Sequence, residues 1–215
     1  MADTSTAFKM TTLTALEPTA SPHAGVAMYE ELARLHALCV HDLATGAFNR
    51  RHFETLAEAE WTRALRHRRP LSIVIFEPVS ESGADDVERR RVPLPEWTLS
   101  RIAGSVQAML RGGGDALARY SPNRFAVLLP ETDADGTRLM IERLRRAVGR
   151  PAGDSTAGSI RALIGAATLR ETCAGEKGWR GAMELADSAL ERARHLRDPL
   201  VLIEVAAPVA RWPVT

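Results

Sequence analysis

Apolar residues return every three to four positions between Val26 and Val40, at Met28, Leu32, Leu35 and Leu38, which predicts a short leading helix. The polar stretch from His41 to Arg51 breaks that period. Within it, Gly46 is free to take a positive φ, and Asn49 stands where it can cap the next helix. That helix is expected from about Arg50 to His67, with Phe53, Leu56, Ala57, Ala64 and Leu65 on its buried side and Pro70 as its stop. Leu71 to Glu77 (LSIVIFE) is then an almost unbroken apolar run with β-branched members, the pattern of a central strand buried on both faces. Pro78 to Pro95 is polar and proline-bearing, and reads as a loop.

A second helical period covers roughly Glu96 to Leu110, with Leu99, Ile102, Ala103, Val106 and Leu110 in register, and Gly112–Gly114 ends it. DALARY and RFAVLLP flank Ser121-Pro122-Asn123-Arg124 as the two arms of a hairpin. A helix over about Asp133 to Val148, a strand over Ile160 to Leu169, a helix over Trp179 to His195 and a last strand, PLVLIEV, complete the order. Strands alternating with helices around one hairpin predict an α/β sandwich, a mixed five-stranded sheet flanked by helices. The expected organisation is a tail at 1–24 rich in Thr, Ser, Ala and Pro, a leading helix at 25–40, one domain at 41–206 and a C-terminal tail at 207–215.

Composition narrows the function classes. The chain has 215 residues, 45% hydrophobic and 26% charged, enough to bury a substantial core. A net charge of +1 provides no global field for nucleic acid or an anionic membrane. Cys39 and Cys173 lack metal-ligand spacing and suit a reducing compartment. No apolar run reaches the ~20 residues of a membrane span, and no basic stretch followed by an apolar one opens the chain, so a cytoplasmic protein is expected. The six histidines form no recognisable ligand set.

Several fragments, in order, carry a family resemblance. Asp42-Leu43-Ala44-Thr45-Gly46-Ala47-Phe48-Asn49-Arg50-Arg51 resembles the D-x-L-T-G-L-x-N-R-R turn of bacterial diguanylate cyclase (GGDEF) domains. Pro70-Leu71-Ser72 opens the first strand as in that family. Arg119-Tyr120, four residues, then Phe125-Ala126-Val127-Leu128-Leu129-Pro130 resembles R-Y-G-G-D-E-F-x-x-L-L-P. Ile164-Gly165-Ala166-Ala167 and Ala186-Asp187-Ser188-Ala189-Leu190 are similar to its S-I-G-V-A and A-D-x-A-L segments. The resemblance spans about residues 38 to 205 and implies the nucleotidyl cyclase-like fold.

Carried over position by position, the resemblance implies a site without its chemistry. Ser121, Pro122, Asn123 and Arg124 stand where the family has two glycines, for close approach to the nucleotide, and two acids beside divalent metals. Pro122 removes an N–H and adds a ring. Asn123 carries no charge, and Arg124 places a permanent cation where a metal-bound carboxylate belongs. A guanidinium 4 Å from a unit positive charge is repelled by about 4 kcal/mol at an effective dielectric of about 20. In the first strand Glu77 keeps one acid of D-x-D, while Val79 replaces the other, too little for a hard divalent ion. The guanine-reading segment aligns with Val87 to Glu96 and keeps little besides Glu96. Arg194 stands for the phosphate-binding lysine of the last helix, and Arg197-Asp198-Pro199 replaces G-R-N. Neither Mg²⁺ nor catalysis is expected.

The family's inhibitory cyclic di-GMP site, R-x-x-D, aligns with Gly112 and Asp115, so Arg111 falls one residue early. Gly112–Gly114 allow Arg111 and Asp115 to converge on a phosphate. The plainer reading is a helix C-terminus with Arg111 near the helix dipole. His67–Arg69 and Glu88–Arg91 read first as solvated surface, and secondly as contacts to a phosphate or an acidic partner. Trp97 reads first as a core residue, with a partner anchor as the alternative, and Cys39 as an inert helix residue.

The expected role is therefore a catalytically inactive GGDEF-like module that binds another protein in bacterial signalling. A cyclic di-GMP receptor using Arg111 and Asp115 is the second reading, and residual GTP binding or cyclase activity the third. Pairing of two copies through the leading helix is compatible with all three.

Overall fold

The structure, a computed structural model, describes residues 39–80, 94–149, 160–169 and 178–194, the backbone of 200–205, and Val26, Met28, Glu30, Glu31 and Leu35. The expected tails, the Glu88–Arg91 cluster, most of the guanine-segment alignment and Arg197-Asp198-Pro199 lie outside the described residues. The chain divides into two units, 1–36 and 37–215. In the first, the five described residues are all helical.

In the second unit the elements are β1 (Phe48–Asn49), α1 (Arg50–His67), β2 (Leu71–Ser80), α2 (Glu96–Gln107), β3 (Ala116–Ser121), β4 (Arg124–Pro130), α3 (Ala134–Val148), β5 (Ile160–Leu169), α4 (Gly178–Ala193) and β6 (Leu200–Val205). They form one mixed sheet of order β1-β3-β4-β2-β5-β6, with β1/β3 and β5/β6 parallel and the other pairs antiparallel. Five strands are the expected ones. The sixth, β1, is a two-residue pairing of Phe48 and Asn49 with Ala118 and Arg119.

Strand alternation sends β2 side chains to two separate cores. Ile73 and Ile75 pack with Phe53, Ala57 and Trp61 of α1 and Trp179, Met183 and Leu190 of α4. Val74 and Phe76 pack with Leu99 and Ile102 of α2 and Ile141 and Leu144 of α3. The sheet is thus covered on both faces, which is why LSIVIFE shows no polar alternation. Ser72 is tolerated because it is satisfied: its hydroxyl lies 2.8 Å from Thr132 O, Thr137 Oγ1 and Thr168 Oγ1, tying β2 to β5 and α3.

Local signals mostly hold. Asn49 accepts from the His52 N–H at 2.9 Å and caps α1 as expected; Asp133, expected as the first residue of its helix, instead caps α3 by accepting from the Gly136 N–H. Gly46 has φ 70°. Leu56 and Leu65 are half-buried against the core.

Three expectations need correction. β2 does not end at Glu77. It runs through Pro78 to Ser80, paired with β5 alone after β4 pairing stops at Phe76, so Pro78 sits on an edge where its missing N–H is tolerated. α2 ends at Gln107, and a turn rather than helix carries the chain through Leu110. Trp97 is not a core residue; it is 48% exposed. Its position in the first turn of α2 puts it off the face that carries Leu99, Ile102 and Val106.

Candidate functional site

The β3–β4 hairpin turns through Pro122 and Asn123, with Ser121 opposite Arg124 and a register irregularity between Arg119 and Ser121. Neither turn residue has a positive φ. The loop therefore lacks the primed geometry that suits a two-residue hairpin, and the strand irregularity absorbs the mismatch in twist.

Arg119 holds the turn from below. Its guanidinium donates to the Pro122 carbonyl at 2.7 and 3.1 Å, grips both Glu96 oxygens at 2.8 Å, and reaches Asp42 Oδ1 at 3.3 Å. Asp42 also accepts from the Thr45 N–H at 3.0 Å and hydroxyl at 2.7 Å. Glu96 is thus tied to Arg119, whose hydrogen bonds hold its carboxyl below its ordinary value. Burial pushes the Asp42 pKa up, but the Thr45 hydroxyl and Arg119 more than offset this, so the carboxyl titrates below the usual range.

A lowered folded pKa makes a contribution to stability that is present above the unfolded value near 4 and disappears as pH falls through the folded value. Thr45→Val is therefore expected to lower stability by about 1–2 kcal/mol near neutral pH, with the deficit shrinking as the pH falls below the ordinary carboxylate range. Thermal melts from pH 7 to 2.5 check this; a deficit independent of pH would assign the loss to packing around Thr45.

At the other side of the hairpin, Arg124 meets three carboxylates. Its Nη1 donates to Asp187 Oδ1 at 2.7 Å, its Nη2 to Glu191 Oε1 at 2.8 Å, and its Nε lies 3.4 Å from Glu77 Oε2. Arg194 also donates to Glu77, and its Nε lies 3.1 Å from Glu191 Oε2. The last acid of β2 is thereby shared by two guanidinium groups, and its side chain is 11% exposed. Among the described residues no group of three metal-ligating side chains is arranged to hold an ion. The sequence pointed to Glu77, Arg124 and Arg194; Glu191 carried no motif signal, and only its position one helical turn beyond Asp187 could have suggested it.

Arg111 and Asp115 do converge despite their spacing. Gly113 takes φ 87°, folding the chain back so that Arg111 donates through Nε, Nη2 and its own backbone N–H to the Asp115 carboxylate, at 2.6–3.1 Å. Arg111 Nη2 also reaches Pro130 O at 3.0 Å and Thr132 Oγ1 at 2.8 Å. The Asp115 side chain is fully enclosed, while that of Arg111 is 55% exposed. This pair stands apart from the Arg124 cluster.

A cleft of about 420 Å³ opens between α1 and α4 beside the hairpin. Ile75, Tyr120, Trp179 and Met183 line it together with Arg50, Arg124 and Arg180. Nothing in the sequence motifs indicated it.

Comparison with known proteins agrees with this scaffold. Residues 96–198 match the family described as "Diguanylate cyclase, GGDEF domain". The chain is 25% identical over 171 residues to a probable diguanylate cyclase, DgcC, of Escherichia coli K12, the match covering 77% of this chain and 43% of that protein. The chain thus spans under half the length of that relative. Among solved structures it is similar to the diguanylate cyclase SiaD of Pseudomonas aeruginosa, crystallised with its activator SiaC (TM-score 0.65, 21% identity, 85% of this chain and 68% of that one). It is also similar to the coiled coil and GGDEF domain of DgcB from Caulobacter crescentus, in complex with c-di-GMP (TM-score 0.67, 19% identity, 85% and 95%). No described helix is long and apolar enough to cross a membrane. The element order, the family match over residues 96–198 and these relatives agree on a GGDEF-like scaffold.

Proposed function

We propose that this GGDEF-family domain has given up cyclase chemistry and acts as a regulatory module that binds another protein. The observation that carries this reading is Arg124. A guanidinium stands at the position where the family resemblance places a metal-bound acid, and it is bonded to Asp187 and Glu191 with Glu77 in ion-pair range. A divalent ion would have to displace a cation already neutralised by three carboxylates, and would then face its repulsion. The metals neutralise phosphates and activate the attacking oxygen in such chemistry, so without them the reaction lacks its principal electrostatic support. Pro122 and Asn123 add a turn whose carbonyl is tied to Arg119 rather than left open to a nucleotide.

The binding half of the reading is supported by Trp97 and Leu43, 48% and 76% exposed. They adjoin Glu96 and Asp42, the two acids that share Arg119. Exposed aromatic and aliphatic groups beside a rigid ion-pair network suit a protein contact. The SiaD relative was crystallised with an activator protein; for this chain a protein partner is part of the proposal.

Incubation with GTP and either Mg²⁺ or Mn²⁺ for hours, followed by chromatography, is expected to give no cyclic dinucleotide. Turnover that disappears in Glu77→Gln would overturn the reading. A second reading is kept alive by the convergence of Arg111 and Asp115, because Arg111 is half exposed and keeps donors beyond those used on Asp115. Calorimetry with micromolar cyclic di-GMP decides it: heat that disappears in Arg111→Ala supports a receptor, and no heat from folded protein removes it.

A further inference from the structure

The cleft between α1 and α4 has a mixed chemistry that neither reading uses. Its volume, about 420 Å³, lies in the range of small-molecule sites, roughly 300–1,000 Å³. Ile75, Met183, Tyr120 and Trp179 make the apolar part of its wall. Ile75 and Trp179 are almost completely buried, so their positions are set by the core rather than by the surface. Neither Arg111, Asp115 nor Glu96 lines it.

The charged groups of the wall are not equivalent. Arg50 stacks over the Tyr120 ring at 4.5 Å and bonds Glu54 at 2.8 Å; Arg180 stacks over Trp179 at 4.6 Å and lies 3.3 Å from Glu58. Both guanidinium groups are largely exposed, 62% and 66%, and each uses only one edge on its carboxylate. A guanidinium has five N–H donors, so each keeps several for another acceptor. The carboxylates are more committed: Glu54 is shared by Arg50 and Tyr120, and Asp187 is held by Arg124. Spare capacity in the cleft is therefore mainly donor capacity. Three arginines nevertheless face three acids, Glu54, Glu184 and Asp187, so the net charge is close to balance and a multiply charged ligand gains little.

We propose that this cleft binds a small aromatic monoanion, a planar ring system bearing one carboxylate. The ring would lie against Trp179, Tyr120 and Met183, and the carboxylate would take the unused donors of Arg50 and Arg180 in the forked geometry that arginine offers. Exposed ion pairs such as Arg180–Glu58 contribute little to stability, so their rearrangement toward a ligand is inexpensive. The site is independent of the protein-binding reading and survives its failure.

The probe is 2-naphthoate, titrated against the full chain by calorimetry and ligand-observed NMR, beside neutral 2-naphthalenemethanol and cationic 2-naphthylmethylamine. Naphthoate is expected to bind with Kd below about 1 mM, and the neutral and cationic compounds about tenfold more weakly. Arg180→Ala and Arg50→Ala, both on exposed side chains, are each expected to weaken naphthoate several-fold while leaving the neutral compound unchanged. Met183→Trp, which fills the cleft, is expected to remove all binding in protein that keeps its melting transition. Equal binding of the three compounds, no naphthoate binding at several millimolar, or naphthoate binding unchanged in both arginine variants would each overturn the proposal.

Discussion

Gly165→Ala is expected to lower stability by at least about 3 kcal/mol, a severe loss for a single methyl group. The reason is backbone against backbone. A Cβ on Gly165 would lie 2.2 Å from Ala186 O, 2.2 Å from Leu190 N and 2.8 Å from Leu190 Cα, all in α4. No side-chain rotation relieves such contacts, so α4 must lift from β5. Gly165 is paired with Ile75 on one side and Val201 on the other, so the strand cannot yield instead. Because α4 also carries Asp187 and Glu191, the displacement should loosen the Arg124 cluster as well. Urea or thermal unfolding measures the effect, with a fall in Tm of about 6–12 °C expected for a domain of this size. Gly104→Ala is the control. Gly104 lies within α2 with nothing within 4 Å of its added Cβ, and that change is expected to be neutral or slightly stabilising. Equal behaviour of the two variants would refute the account of close packing.

Arg124→Glu should be the most damaging change at the site. It removes a cation shared by Glu77, Asp187 and Glu191 and places a fourth carboxylate among them. Loss of one partner from a fully buried ion pair costs about 3–5 kcal/mol; with Arg124 28% exposed, about 2–3 kcal/mol is expected here. The variant should recover part of that loss in millimolar Mn²⁺ or Ca²⁺, since a divalent ion can take over the role of the guanidinium. The unaltered protein should show no such response, and Arg124→Gln should be destabilised less and remain insensitive to metal. Thermal melts with and without the ions provide the comparison. A metal-dependent rise in Tm of the unaltered protein would show that the site still admits a divalent cation, and would reopen the question of catalysis.

Much of the architecture could be read from residue order. The double-sided burial of β2 follows from LSIVIFE, and the cap at Asn49 follows from its position ahead of an apolar period. Pro78 misled because proline is disfavoured where a strand is paired on both sides, and whether a strand has one neighbour or two at a given residue depends on where β4 ends. Trp97 misled for a similar reason: its size argues for burial, but its place in the first turn of α2 leaves it outside the buried stripe. Trp61, buried in α1 without having been assigned to the expected core face, completes the wall that Gly178 approaches; a Cβ there would come within 3.1 Å of its indole nitrogen.

By itself the sequence determined the kind of fold and the presence of an arginine at position 124, where the family resemblance expects an acid. Both are properties of residue type and local order: apolar period, cap, turn, and the sign of a side-chain charge. What Arg124 and Arg111 do could be decided only by the folded chain. Arg124 meets Asp187 and Glu191, more than sixty residues away, because α4 packs on the sheet face that also carries Ala126 and Leu128 of β4. Arg111 reaches Asp115 because Gly113 adopts a left-handed turn that spacing alone does not specify. The α1–α4 cleft has the same origin, assembled from residues that stand up to 137 positions apart, Arg50 to Asp187, and that come together when two helices pack on one sheet. Long-range ion pairs and cavities depend on how elements pack, and the apolar pattern of a chain encodes that packing only as a whole.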